Sequence, residues 1–372
     1  MSCDEPDVTL NGQGRLNSDC KEKYEEVVMK TKRLWYGLIF VLVGICGLTA
    51  FGASDVSAAG EKFNWRISSS FAPGDLSADL LPEFAKRVTK ESGGRLTMRS
   101  FYEGDIVGSE QTLDACGRGV FEMCALSTSM YQGKYPVFAA QGAVPFATPF
   151  GWEKATKFNL EGSEVDKLVR TQADALGLHI VGYIPFGPYP AICSRVPIRN
   201  FNDFKGKKIR ASGAVIKIFN AIGASSGYIP GGEVYMALQL GTYDAAVYSV
   251  DVVDGMKWRE VMKYYILPYF SDEYFGQVFA NKKAWAALPD DLKGVVNNVQ
   301  KWYFEANHVG INKMRDENVT RAKEWGYEVI TLPDADVEKI KKAAIEVVWP
   351  SLVKDDLSKK WMDIVKKYHG VK

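Results

Sequence analysis

From residue 62 onward, short apolar runs alternate with longer stretches whose apolar positions recur every three to four residues. FNWRISSS (63–70) reads as a strand. Residues 75–94 read as a helix, because Leu76, Leu80, Leu81, Phe84 and Val88 share one face and Gly93-Gly94 stops it. RLTMRSFY (95–102) is the next strand, GSEQTLDACGRG (108–119) a short helix and FEMCALSTS (121–129) a buried strand. The same alternation returns in the second half. HIVGYIPFG (179–187), YPAICSR (189–195) and KIRASG (208–213) read as strands, followed by the helix AVIKIFNAIGA (214–224). PGGEVYMALQLG (230–241) is a helix that feeds the strand YDAAVYS (243–249). Residues 288–326 keep a helical pattern for over thirty residues, longer than a usual globular helix, which suits an element shared by two bodies. The alternation predicts an α/β protein, and no internal repeat or low-complexity segment interrupts it.

The first sixty residues follow another grammar. Lys30, Lys32 and Arg33 precede an apolar run from Leu34 to Phe51, and small residues close it in VSAAG (56–60). That is the layout of a signal peptide over 29–59, cleaved after Ala58 or Ala59, and it predicts a periplasmic protein. The rival reading is a membrane anchor, since the apolar run nearly reaches spanning length, with residues 1–28 as a cytoplasmic tail. A lipoprotein cysteine is disfavoured because Ile45 precedes Cys46 where a small residue is wanted. Signals act from the N-terminus, so Met29 is the expected start and 1–28 an extension called in error. The chain after residue 58 carries 40 basic and 37 acidic residues, no excess that would neutralise nucleic-acid phosphates. Its three cysteines, Cys116, Cys124 and Cys193, match no metal spacing and are expected to be buried thiols.

Catalytic signatures are missing. The three histidines, His179, His308 and His369, belong to no HExxH or Cys/His array, and their structural reading is the better one. GGEVYMALQ and SGGRL contain glycine pairs without a phosphate-cradling context, and no GxSxG occurs. EGSEVDK (161–167) and PDADVEK (333–339) are helix starts with acidic first turns. An exported α/β chain without a reactive centre suits a ligand carrier rather than an enzyme.

Three motifs, in order and spacing, resemble one family: NDFKGKKIRASG (202–213), YIPGGEVYMALQLGTYDAAVYS (228–249) and FANKKAWAALPDDLKGVV (279–296). The family is the DctP-type solute-binding subunits of tripartite ATP-independent periplasmic (TRAP) transporters, and the resemblance extends over residues 60–372. SMYQGKYPVFAAQGAVPF (129–146) is similar to the branch that binds 2-oxo acids. The resemblance implies two α/β lobes, 60–184 with 274–314 and 185–273 with 315–372, joined by hinge strands and a long helix. They would close over one small organic acid, a carboxylate or a sulfonate, for delivery to the membrane permease subunits. A ligand sensor for a receptor kinase, or a secreted enzyme on the same frame, are the alternatives.

In that family the arginine of the GxKxR stretch forks onto the ligand carboxylate, and the matching residue is Arg210. A planar guanidinium suits that role as the neighbouring lysines do not. The alternative is a structural salt bridge across the strand ends. The oxo-acid branch also holds a ligand-bridging metal through a Gln and a Glu-Trp pair. Those places carry Tyr189, Val247 and Tyr248, so no metal and no cofactor are expected, and the tyrosines would donate hydroxyls or wall the pocket. Loops after strands supply the other candidates: Ser70, Phe71, Ser127, Thr128, Tyr131, Ser249, Asp251, Glu273 and Tyr274. Each has a structural reading, serines as helix caps above all. Asp251 and Glu273 would repel an anion unless they met a hydroxyl or ammonium group.

Overall fold

The computed structural model describes residues 61–371, and the signal-peptide reading of 29–59 and the extension reading of 1–28 fall outside them. Eleven strands form two sheets. In chain order they are β1 (Phe63–Ser69), β2 (Leu96–Phe101), β3 (Met123–Leu126), β4 (Leu178–Tyr189), β5 (Ala191–Ser194) and β6 (Lys208–Arg210). β7 (Ser225–Gly227), β8 (Ala245–Tyr248), β9 (Tyr264–Leu267), β10 (Ser271–Asn281) and β11 (Glu328–Thr331) follow. The first sheet has the order β2-β1-β3-β10-β4 and the second β11-β9-β5-β8-β6-β7.

Two long antiparallel strands make the hinge. β4 and β10 pair from Leu178 opposite Asn281 to Tyr189 opposite Ser271. Past Tyr189 the chain crosses to β5 of the second sheet, and after β9 it returns through Phe270 into β10. The long helix, Asp290–Thr320, is one element of 31 residues, as its uninterrupted pattern predicts. Its Gln300 donates to Tyr183 O (2.8 Å) on β4, and its Asn318 donates to Val250 O (2.7 Å) just past β8. One rigid rod thus touches both bodies.

Alternation along the strands explains how each sheet is covered. Ile192, Ala245, Val247 and Ile209 face one side of the second sheet and join the large apolar core. Ala191, Cys193, Ala246 and Tyr265 face the other side, packed with Val234, Leu238 and Trp258. Cys116, Cys124 and Cys193 are all buried free thiols.

Two features depart from the sequence reading. The helix expected over 75–94 is split into Leu76–Asp79 and Leu81–Glu91, with Pro82 in the first turn of the second piece, where no N–H is missed. The tail is shared rather than assigned wholly to the second lobe. The helix Asp334–Ala343 packs near the helix Ala214–Ala221, whereas Asp356–His369 lies on the helix Glu164–Ala175 of the first body. The ridge containing Val365, Met362 and Trp361 carries the apolar face that makes this return contact worthwhile.

Candidate functional site: an interlobe cavity around a buried arginine

β1, β2 and β3 run parallel, and so do β6, β7 and β8; in such sheets the ligand crevice opens at the carboxyl ends of the strands. In the first lobe those ends deliver Ser70 and Phe71 after β1, Glu103 after β2, and Ser127 and Ser129 after β3. In the second they deliver Arg210 and Ser212 from β6, Tyr228 after β7 and Tyr248 at the end of β8. Together with Tyr189 and Tyr274 from the hinge they line one cavity.

Arg210 is 2% exposed. Its Nε and Nη2 donate to Ile229 O (3.0 and 2.8 Å) and its Nη1 to Val247 O (3.0 Å). The Tyr228 and Tyr248 rings flank the guanidinium, each 5.2 Å from its carbon. Those contacts fix the plane of the group by cation–π attraction and by carbonyl anchors. No carboxylate among the described residues pairs with it, which removes the salt bridge across strand ends as its reason for being buried. A guanidinium has five N–H donors, so the three bonds leave one N–H on each of Nη1 and Nη2. Two parallel donors are what a carboxylate accepts side by side. Ser70 Oγ, buried in the same wall, also has no partner.

The other strand-end candidates lie elsewhere. Tyr131 is buried under the helix Thr112–Gly117, donating to Ser109 O and accepting from Leu113 N. Thr128 Oγ1 donates to Phe138 O (3.2 Å). Ser249 donates to Asp251, whose other oxygen accepts from Leu76 N (2.7 Å) across the interlobe boundary. Burial and the Asp251 charge hold the neighbouring Asp75 carboxyl well above its ordinary range, and burial raises Asp251 too. Asp251 thus ties the helix Leu76–Asp79 of one lobe to the other by this bond. The histidines are structural in position: His179 stacks on Trp285, His308 on Trp152, and His369 meets Ala147 O.

Glu273 lies outside the cavity, 4% exposed, with Oε2 unpartnered. Burial, reinforced by Asp272 and opposed by Arg315, pushes its carboxyl up to about 8. Between the ordinary value near 4.5 and about 8, the folded protein holds a proton that the unfolded chain has released. Stability should therefore fall as pH rises across that window. Glu273→Gln is expected to flatten the decline in melting temperature between about pH 5 and about pH 8, and an unaltered slope would rule this group out as its source.

Glu103, Ser129, Met130, Ser212, Tyr228 and Gly231 belong to the cavity without having been singled out from sequence. Glu103 was within reach of the strand-end rule, since RLTMRSFY reads as a strand and Glu103 follows it. Tyr228 was not, because the strand before it is only Ser225–Gly227, without a hydrophobic pattern. A Cβ at Gly231 would come to 3.0 Å from Tyr248 Oη, so the Tyr248 ring would have to shift to admit one.

The Val247 side chain is fully buried in the core and its carbonyl is occupied by Arg210. Among the described residues no group of three or more His, Cys, Asp or Glu stands close enough to hold an ion. Nor is any described helix long and apolar enough to cross a membrane.

Comparison with known proteins agrees with this architecture. The chain is 25% identical to a monocarboxylate 2-oxoacid-binding periplasmic protein of Nostoc, over 82% of this chain and 84% of the relative. It is also 25% identical to the 2,3-diketo-L-gulonate-binding periplasmic protein YiaO of Escherichia coli, over 88% and 95% of the two chains. A TRAP periplasmic solute-binding protein from Chromohalobacter salexigens, solved with bound (S)-(+)-2-amino-1-propanol, superimposes with a TM-score of 0.74 at 19% identity, covering 83% of this chain and 96% of that one. The profile of the bacterial extracellular solute-binding proteins, family 7 (DctP), matches residues 67–355, and the chain is a member of that family, the solute-binding proteins of TRAP transport.

Proposed function

We propose that this protein captures a small organic acid in the periplasm, seats its carboxylate on the free Nη1 and Nη2 donors of Arg210, and delivers it to a TRAP membrane permease. One observation carries the reading. Arg210 is buried, oriented by two backbone carbonyls and two tyrosine rings, and keeps a pair of donors unused in a cavity between two lobes. Burying a cation without a carboxylate partner is costly unless a ligand supplies one. The Nostoc and Escherichia coli relatives, which bind monocarboxylate 2-oxo acids and 2,3-diketo-L-gulonate, support the same class.

The lobes are closed over this site. Ser109 Oγ meets Tyr228 Oη at 3.2 Å across the cleft, and Leu76 N donates to Asp251 on the other side. Closure buries the ligand and strengthens the charge-assisted bonds by excluding water. The tyrosines at 189 and 248 do the walling that a metal and its ligands would otherwise do, so binding should survive exhaustive chelation. Calorimetric titration of the solute retained by native protein, with and without EDTA, checks this. Loss of affinity on chelation and its return with calcium or sodium would contradict it.

A further inference from the structure

The cavity around Arg210 contains a second charge, and the first-lobe loop after β2 supplies it. Glu103 lines the same space as Arg210, whose side-chain bonds among the described residues all go to backbone carbonyls rather than to Glu103. Among the residues lining it they are the one acidic and the one basic side chain; the others are serines, aromatic rings, Met130, Ala143 and Gly231. A carboxylate seated on Arg210 therefore lies in the field of a second carboxylate, inside a closed, aromatic-walled space. At low effective dielectric that opposition is a real cost for a simple anion. A solute with a positive group turned toward Glu103 converts the cost into a second contact, and leaves both protein charges compensated.

We infer that the solute is a zwitterion of the amino-acid type, its carboxylate on Arg210 and its ammonium on Glu103. This rests on the proposed role of Arg210 and specifies the other end of the ligand. The arrangement discriminates by charge at each end. A carboxylate alone leaves Glu103 unmatched, an amine alone leaves Arg210 unmatched, and a zwitterion of the right span satisfies both. Glu103 is part-buried, its carboxyl pushed up by desolvation and held down by Ser109 and Arg210, with Glu233 opposing. An ammonium beside it would keep it ionised.

The test begins with mass spectrometry of the solute retained by natively purified protein. A molecule with both a carboxylate and a basic nitrogen is expected, and a solute without a basic nitrogen overturns the inference. Calorimetric titration with matched probes follows: alanine, lactate and pyruvate, then β-alanine, 4-aminobutyrate and proline for the span. At least one amine-bearing acid should bind tenfold or more tightly than its hydroxy or oxo counterpart. Glu103→Gln should erase that preference while leaving the counterpart's affinity equal or improved. Equal or tighter binding of lactate or pyruvate, no measurable binding of any amine-bearing acid, or a preference that persists in Glu103→Gln each overturns the zwitterion. Failure of the underlying reading looks different: acids then bind, of whatever class, and Arg210→Lys leaves their affinity untouched.

Discussion

Arg210→Ala will lower affinity for the solute by about 2–5 kcal/mol, roughly 30-fold to several thousand-fold, because it strands a desolvated carboxylate in a closed cavity. The structure adds a second consequence. Arg210 also anchors the Ile229 and Val247 carbonyls, so the unliganded protein should lose about 1–3 kcal/mol as those acceptors lose their donors. Arg210→Lys should restore part of each effect only. A single ammonium cannot reach both carbonyls and still present two parallel donors to a ligand. Wild-type protein should gain about 2.7 kcal/mol of stability at a ligand concentration one hundred times the dissociation constant, and the alanine variant almost none at that concentration. Calorimetric titration and melting of the three proteins, with and without the retained solute, separate loss of affinity from loss of fold. An alanine variant that melts lower but binds normally would make Arg210 a purely structural residue.

Gly255→Ala should cripple binding from outside the cavity. A Cβ on Gly255 would sit 2.1 Å from the carbonyl oxygen of Gly74, a backbone atom of the opposite lobe that cannot rotate away. Gly74 itself has φ +92°, so alanine there would strain the chain in the open and closed states alike. Gly255 has no such strain, and its substitution acts on closure alone. The lobes would have to part by about an ångström, losing the Leu76 contact to Asp251 that lies on the same edge. Each 1.4 kcal/mol of closure lost is tenfold in affinity, and at least a tenfold loss is expected. Unliganded melting should stay near wild type. Small-angle scattering should show wild-type protein contracting on ligand addition and the variant failing to do so. Normal affinity in Gly255→Ala would mean that the contact is not needed for closure.

Much of this architecture was legible in sequence because its determinants are local. Period-two and helical patterns exposed most strands, and the long helix was announced by a stretch, 290–320, with no Pro and only the isolated Gly294 and Gly310, neither strong enough to break it. β7, β9, β10 and β11 were not read out: β7, β9 and β11 are three to four residues each, too short for a window to separate from loop, and β10 opens on the polar Ser271-Asp272-Glu273 and is interrupted by Gly276. The split at Leu80 was invisible, since Leu80 and Pro82 fit a helical frame until the cap at Asp75 is seen to serve only the first piece. For the site, Arg210, Ser70, Phe71, Ser127, Tyr189, Tyr248 and Tyr274 meet around one cavity, because all sit at strand ends or on the hinge, where their positions follow from sheet polarity. Tyr131 and Thr128 follow the same strand yet turn inward, since their hydroxyls are taken by local carbonyls within the first lobe. Side-chain direction one or two residues past a strand depends on loop path, and loop path has no periodic signature.

The two unused donors of Arg210 are proposed to hold the carboxylate of the solute. A crystal structure of the natively purified protein with its retained solute tests it most directly. The expected result is a solute carboxylate forked onto Nη1 and Nη2 of Arg210, with the Ile229 and Val247 carbonyl bonds intact behind it. A solute lodged elsewhere, or one that leaves those two donors to water, would contradict the claim.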